Sequence, residues 1–139
     1  MSSGVSVSAE AVDMYNKFRT AKKYRYLIFK FDDKYKSVVV DKMAEEGATH
    51  EDFLRDVPKN RVSYIFYDVD YSLGADGNRR ETLLISFSDD NHAPGKEKML
   101  ISGTLNEVKA KCKEFKKNTS INDYDELTEA NILSIIQSK

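Results

Sequence analysis

Few side chains in this sequence belong to the types that carry out covalent chemistry. The chain has one cysteine, Cys112, and two histidines, His50 and His92, which stand far apart and have no nucleophile motif beside them. Cys112 falls on the apolar repeat of a predicted helix, which favours a small core residue over a reactive thiol. The residues therefore give no positive case for an enzyme, and we predict no catalytic residues.

Acidic residues are also arranged poorly for metal binding. The run DVDYSLGADGNRR, residues 68–80, resembles a calcium loop in composition, but Leu73 replaces the turn glycine and Arg79 replaces the bidentate glutamate. The pairs Asp32-Asp33 and Asp89-Asp90 fall in predicted turns and need no catalytic role. We predict no metal site and no cofactor.

Residues 96–99 suggest binding instead of catalysis. A helix starting near Pro94 or Gly95 would turn about 100° per residue, which puts Met99 roughly 160° from Ile101 on its apolar face. Lys96 and Lys98 stand beside Met99, and a flexible apolar side chain among cations suits an irregular, acidic partner surface. Periodicity alone also allows Met99 to pack on a neighbouring loop, or the helix to kink at Ser102-Gly103. The apolar face itself follows from residues spaced by four and three: Ile101, Leu105, Val108, Cys112 and Phe115.

Length and composition favour one globular domain over residues 1–139. The chain is 40% hydrophobic and contains 8 Tyr and 7 Phe, enough for a core. Its formal net charge of -1 provides no field that would attract nucleic acid or an anionic membrane. A single cysteine without a signal peptide favours a reducing compartment, and no apolar run approaches the ~20 residues of a membrane span.

The hydrophobic patterns predict helices and strands that alternate along the chain. Residues 1–7 carry no predicted element, and MAEEGA, residues 43–48, is predicted as a loop. The predicted elements are a helix over 9–21 capped by Ser8, strands over 24–31 and 35–40, a short helix from Thr49 to Pro58, strands over 61–71 and 81–88, the long helix, a short strand within 118–123 and a helix from Thr128. This order predicts an α/β fold of the α+β type, with a mainly antiparallel sheet covered by helices on both faces.

Four segments together resemble one known family. APGKEKMLISGTLNEVKAK, residues 93–111, is similar to the long-helix signature of the actin-depolymerising factor/cofilin family, with Ala-Pro, two basic positions around a variable one, then Met. SSGV at 2–5, KKYRYLIFKF at 22–31 and EDFLRDVPKNRVSYIFYDVDY at 51–71 resemble its N-terminus, first strand, and short helix with third strand. The resemblance spans about residues 3 to 137 and implies an actin-depolymerising factor homology domain, a five-stranded mixed sheet between helices.

The resemblance also implies a function and a binding surface. Family members bind monomeric actin, preferentially with ADP, and bind and disassemble filaments, so we expect a monomeric protein of the cytoplasm and actin cytoskeleton. Ser3 occupies a position phosphorylated in several relatives, where added negative charge would repel an acidic partner. Composition alone instead favours a disordered tail at residues 2–4. The implied monomer-binding residues are Ser3, Gly4, Val5, Lys96, Lys98 and Met99.

The family's filament surface is only partly matched. Arg79, Arg80 and Lys139 are its basic counterparts here, but Ser134 and Ile135 replace charged residues on the last helix. The resemblance therefore implies that filament binding or severing is weakened.

Phosphoinositides are a second implied partner, through basic residues at the end of the long helix. The alternative for these lysines is a solvated helix end placed favourably against the negative dipole terminus. The candidates are Lys109, Lys113, Lys116 and Lys117.

Two other functions stay open at this point. One is a coactosin-like protein that binds filament sides without depolymerising them, against which the Lys96-x-Lys98-Met99 pattern argues. The other is a small metal-binding or hydrolytic module.

Overall fold

The fold is organised around one mixed β-sheet of six strands among the residues described, 4–138, in a computed structural model. The strand order across the sheet is β1-β3-β2-β4-β5-β6, with parallel pairing at both ends and antiparallel pairing between. The strands are β1 Ser6–Val7, β2 Tyr24–Phe31, β3 Ser37–Glu45, β4 Ser63–Ser72, β5 Asn78–Phe87 and β6 Lys117–Ile121.

Four α-helices in the described part of the chain lie at the positions that the sequence pattern predicts. Ser8, Thr49 and Thr128 each cap a helix by accepting a hydrogen bond from a backbone N–H three residues on. The Asp52 carboxylate also accepts a hydrogen bond from the backbone N–H of Thr49, which completes a capping box. The helices are α1 Ala9–Ala21, α2 His50–Asp56, α3 Gly95–Lys111 and α4 Glu129–Gln137.

Hydrophobic side chains fill both sides of the sheet, as expected for a sheet that is covered by helices on both faces. β2 and β4 are buried along most of their length because they lie in the middle of the sheet and are covered on both faces. The layer under α1 and α3 includes Tyr15, Phe18, Leu27, Phe29, Phe66, Val108 and Cys112. The layer under α2 and α4 includes Ile28, Phe53, Ile65, Leu83, Ile132 and Ile136.

Cys112 is fully buried in this core, as its place in the apolar repeat predicted. Desolvation raises the pKa of its thiol to about 12, because burial disfavours the thiolate. The thiol is therefore protonated near neutral pH and acts as a small core residue.

Strand number and strand ends differ from the sequence prediction. Five strands were expected, but residues 6–7 form β1, which pairs in parallel with β3. β3 also continues to Glu45, so the prediction of a loop over 43–48 is wrong for its first part: Met43 and Ala44 pair with Leu27 and Tyr26 of β2. These segments have no alternating pattern, and the hydrogen bonds of an adjacent strand decide their conformation.

The β4–β5 hairpin turns through residues 74–77. Gly74 and Gly77 both have positive φ, at 66° and 88°, which glycine adopts without a steric penalty. Asn78 follows as the first residue of β5.

Asp89 joins the loop before α3 to the segment before α4. Its side chain is buried and accepts hydrogen bonds from the backbone N–H groups of Asn91 and Tyr124, at 3.0 and 3.2 Å. His92 Nδ1 lies 2.9 Å from the same carboxylate. The sequence predicted that Asp89 lies in a turn, but it did not indicate that the Asp89 side chain binds the backbone of two separate segments.

Replacing Asp89 by Asn should remove a pH-dependent part of the stability. The hydrogen bond from His92, with those from Asn91 and Tyr124, lowers the pKa of Asp89 by favouring its ionised form. The stabilisation is therefore present above the unfolded pKa of about 4 and is lost as the pH falls through the lower, folded value. In urea unfolding, we expect Asp89→Asn to be less stable than the wild type at about pH 7, with the difference shrinking below about pH 4.

The neighbouring exposed carboxylate offers a matched control. Asp90→Asn should produce no such pH-dependent difference, because the Asp90 side chain is exposed. An Asp89→Asn deficit of equal size at neutral and acid pH would contradict a role for the charge.

Candidate functional site

Met99 projects from the first half of α3 into solvent. Its exposed fraction is 83%, far above that of Leu73, the other large exposed apolar residue among residues 4–138, at 41%. Val108, nine residues on, is fully buried, and nine steps of about 100° place the two on opposite sides of the helix. The prediction of an outward Met99 is confirmed.

Lys96 and Lys98 flank this methionine and are both exposed. The Lys96 ammonium lies 5.3 Å from the centroid of the Tyr35 ring, within the range of a cation–π contact. Lys98 Nζ donates to the backbone carbonyl of Asp90 at 2.6 Å. These contacts hold both cations beside the apolar group, and Lys96, Lys98 and Met99 are called the Met99 face below.

Glu97, between the two lysines, points the other way. It is only 8% exposed, and its carboxylate accepts hydrogen bonds from the Val62 N–H at 2.8 Å and the Tyr35 hydroxyl at 2.9 Å. The sequence analysis missed this residue, because a glutamate in the first turn of a helix is usually solvated and favourable to the dipole. At about 100° per residue, Glu97 lies roughly 40° from Ile101 around the helix and therefore on the apolar side. This position was the signal that could have identified it.

Tyr35 completes the contact between α3 and the β2–β3 turn. It has a positive φ of 55°, and its ring stands edge-on to Phe31 at 6.0 Å between centroids. The hydrogen bond that its hydroxyl donates to Glu97 raises the pKa of Tyr35, since ionisation would lose this bond and place two negative charges together.

The N-terminal candidates divide into one exposed and one buried residue. Gly4 is exposed, whereas Val5 is 4% exposed and packs in the core layer under α3. Since β1 contacts α3, residues 4–5 lie on the side of the sheet that carries α3. Val5 was expected to contact a partner directly, but its buried side chain instead anchors the segment; Ser3 lies outside the described residues.

The two hairpin arginines have different surroundings. Arg79 is exposed, with a long contact of 3.5 Å to the Asp76 carbonyl. Arg80 turns inward, and its guanidinium donates to the Asp68 carboxylate at 3.0 Å, the Glu46 carboxylate at 3.2 Å and the Tyr24 carbonyl at 2.8 Å. The expectation of two outward cations therefore holds for Arg79 and not for Arg80, and Lys139 lies outside the described residues.

The basic cluster near the end of α3 is less continuous than predicted. α3 ends at Lys111, so Lys113 lies beyond the helix and Lys117 belongs to β6. Lys109 and Lys113 are exposed. Lys116 forms an ion pair with Glu81 at 3.2 Å, and Lys117 Nζ donates to the Ile135 carbonyl at 3.1 Å and to the end of α4.

The histidines lie apart and have structural contacts. His50 places Nδ1 3.0 Å from the Tyr67 hydroxyl and Nε2 2.7 Å from the Leu127 carbonyl, which joins α2 to the segment before α4. His92 contacts Asp89, as described above. Within residues 4–138, no group of three or more His, Cys, Asp or Glu side chains is arranged to hold a metal ion.

A cleft of about 540 Å³ lies beside α4 and away from the Met99 face. Five of its charged groups already pair with one another: Arg25 with Glu129 at 2.9 Å, and Arg80 with Asp68 and Glu46. No helix in the described part of the chain is long and apolar enough to span a bilayer.

Comparison with known proteins identifies the family of this chain. The profile of the Cofilin/tropomyosin-type actin-binding protein family matches residues 4–137. Actophorin from Entamoeba histolytica is 36% identical over 106 residues, covering 76% of this chain and 75% of that protein.

Solved structures agree with the sequence comparison. The ADF/cofilin from Trypanosoma brucei superposes with a TM-score of 0.78 at 32% identity, covering 98% of this chain and 96% of that one. Human coactosin-like protein has a TM-score of 0.80 at 22% identity, covering 96% and 98%, and shows the shared fold alone. The match over nearly the whole chain, with the long helix and sheet in place, shows that this chain belongs to the ADF/cofilin family of actin-binding proteins.

Proposed function

We propose that this protein binds monomeric actin through the Met99 face, with preference for the ADP-bound form, and promotes the disassembly of filaments in the cytoplasm. The observation that carries the proposal is the 83% exposure of Met99 on a helix whose opposite side is fixed in the core. A mobile surface segment would lose conformational entropy on binding, whereas this helix presents its apolar group already in position.

The chemistry of the face fits a hydrophobic cleft with an acidic rim. Burying a methionine side chain is worth about 1.5–3 kcal/mol. Lys96 and Lys98 would lie at the edge of such a contact, where charges steer association and select the partner more than they add affinity. The binding mode is a helix in a groove, with Met99 as the anchor.

Truncating the anchor should weaken monomer binding. We expect Met99→Ser to reduce the affinity for ADP-actin monomers by about 5- to 30-fold, which corresponds to ~1–2 kcal/mol. Fluorescence titration of labelled monomer measures the change, and thermal unfolding should be unaltered because the side chain is exposed. Leu73→Ser, at the other large exposed apolar residue, is the matched control and should leave the monomer affinity unchanged. Equal affinities for Met99→Ser and the wild type would contradict the proposal.

The paired cations of the face can be tested separately. Lys96→Ala/Lys98→Ala should slow association with monomeric actin and reduce its dependence on salt, because rim charges act mainly on the association rate. Stopped-flow association at several ionic strengths measures both effects. An unchanged rate and salt dependence would exclude these lysines from the interface.

Filament binding is proposed to be weak. Arg80 is held by carboxylates of its own chain, and the exposed residues near the end of α4 are Ser134, Gln137 and Ser138 rather than charged groups. Arg79 is the remaining described cation of the predicted filament surface. We therefore expect co-sedimentation with filaments to be half-saturated only at high protein concentration, with Arg79→Ala raising that concentration further.

Arg80 provides the control for that experiment. Arg80→Ala should act mainly on folding, lowering the free energy of unfolding by about 1–2 kcal/mol because it leaves the Asp68 carboxylate without its guanidinium.

Near-stoichiometric filament binding with brisk severing under the microscope would contradict weak filament binding. Filament binding without loss of pyrene-actin fluorescence would instead support the coactosin-like alternative.

Phosphoinositide binding is proposed for the exposed lysines near the end of α3. Lys109, Lys113 and Lys116 are exposed, but Lys116 pairs with Glu81, and the half-buried Lys117 donates to the Ile135 carbonyl. Lys109→Ala/Lys113→Ala should reduce binding to vesicles containing phosphatidylinositol bisphosphate by about 30-fold, since each cation contributes about 1 kcal/mol near an anionic surface and the two together contribute ~2 kcal/mol. Lys116→Ala should have a smaller effect, and equal losses in both variants would contradict this assignment.

A further inference from the structure

The first turn of α3 is attached to the rest of the protein by a carboxylate. Glu97 accepts one hydrogen bond from the Val62 N–H, at the start of β4, and another from the Tyr35 hydroxyl, in the β2–β3 turn. Both oxygens are thus used, one for each neighbouring element. A buried carboxylate without such donors would be strongly unfavourable, so the helix is held where both bonds can form.

This attachment sets the rotation of the exposed face. Lys96 and Lys98 are one residue on either side of Glu97, and Met99 is two residues after it. At about 100° per residue, an inward Glu97 places each lysine roughly a quarter-turn away and Met99 roughly on the far side. A rotation that lost the Glu97 contacts would also turn Met99 away from its present direction.

Tyr35 acts on the face by two routes. Its hydroxyl holds Glu97, and its ring lies 5.3 Å from the Lys96 ammonium. The ring is itself fixed against Phe31, and the backbone at Tyr35 has a positive φ of 55°. Positive φ is uncommon for a non-glycine residue. Tyr35 adopts it while its side chain contacts two consecutive residues of α3, Lys96 and Glu97.

We propose that Tyr35 and Glu97 are positioning residues that set the rotation of α3 and the direction of Lys96, and thereby the affinity of the Met99 face for its partner. The inference rests on the proposed binding of monomeric actin. Neither residue needs to touch the partner: Glu97 is buried, and Tyr35 acts through Glu97 and Lys96. A purely structural role would instead lower stability without a selective effect on binding.

Tyr35→Phe is the sharpest variant, because it removes the hydroxyl and keeps the ring beside Lys96. Tyr71→Phe is the matched control: the Tyr71 hydroxyl also donates to a glutamate, Glu81, but in the β4–β5 hairpin away from α3. We expect Tyr35→Phe to weaken binding to ADP-actin monomers by about threefold to tenfold, because only the fraction of protein with α3 in its present rotation is competent to bind. Tyr71→Phe should leave monomer affinity unchanged.

Glu97→Gln gives a second variant with a spectroscopic signature. Because Glu97 raises the pKa of Tyr35, the Tyr35 ring signal should titrate at lower pH in Glu97→Gln than in the wild type, as followed by carbon NMR. We expect this variant to weaken monomer binding while remaining folded at the assay temperature. If Glu97→Gln does not fold, the comparison of Tyr35→Phe with Tyr71→Phe carries the test.

The outcomes separate this inference from the proposed function. If Met99→Ser weakens monomer binding and Tyr35→Phe does not, the positioning role is overturned and the binding face stands. If all variants bind as the wild type does, the binding face itself is wrong. A loss in Tyr35→Phe that is matched by Tyr71→Phe, or that equals its fraction of unfolded protein, would also overturn the positioning role.

Discussion

Burial of the Glu97 carboxylate is the constraint on which the presentation of α3 depends. A carboxylate inside the protein must be hydrogen-bonded, and two donors from different elements, Val62 N–H and Tyr35 hydroxyl, meet it. Apolar packing of Val108 and Cys112 would tolerate some sliding or rotation, because dispersion contacts are non-directional. The hydrogen bonds of Glu97 do not tolerate such sliding or rotation, because they require short distances and defined angles. The core thus places the helix against the sheet and sets its outer side, and the carboxylate fixes the exact rotation at which that side is presented.

The central sheet also separates two regions of different chemistry. α3 covers one layer of the core, and its outer side carries exposed cations around Met99. α4 covers the other layer, and beside it the arginines are paired with carboxylates, as in Arg25–Glu129 and Arg80–Asp68. Cations that are already paired give little to a partner, because binding would first have to break the existing contacts. This contrast is the physical reason for proposing strong monomer binding and weak filament binding.

The segments before α3 and α4 are held by two polar side chains, the buried Asp89 and the half-buried His50. Asp89 ties the residues before α3 to Tyr124, and His50 ties α2 to Leu127. In both cases the side chain satisfies backbone groups in segments that lack regular structure, which keeps buried backbone groups paired. The ends of α3 and α4 are therefore placed by polar contacts and their middles by apolar packing.

The amino-acid sequence by itself determined the elements whose signals are local. The caps Ser8, Thr49 and Thr128, the β2 run YRYLIFKF and the apolar spacing of α3 each specify backbone structure through neighbours within a few residues. The same spacing was enough to turn Met99 outward, because a helix has a fixed angle per residue. The family resemblance, quoted from the long helix and three other segments, was confirmed by the match over residues 4–137.

Tertiary structure alone decided which charged residues are available to a partner. Glu97, Arg80 and Lys117 look like solvated surface residues in the sequence, yet each turns to groups between 12 and 62 positions away. The short β1 and the second half of β3 likewise exist because a neighbouring strand supplies their hydrogen bonds. Such contacts join residues distant along the chain, and no local pattern encodes them, since a long polar side chain can reach solvent or a buried donor from the same backbone position.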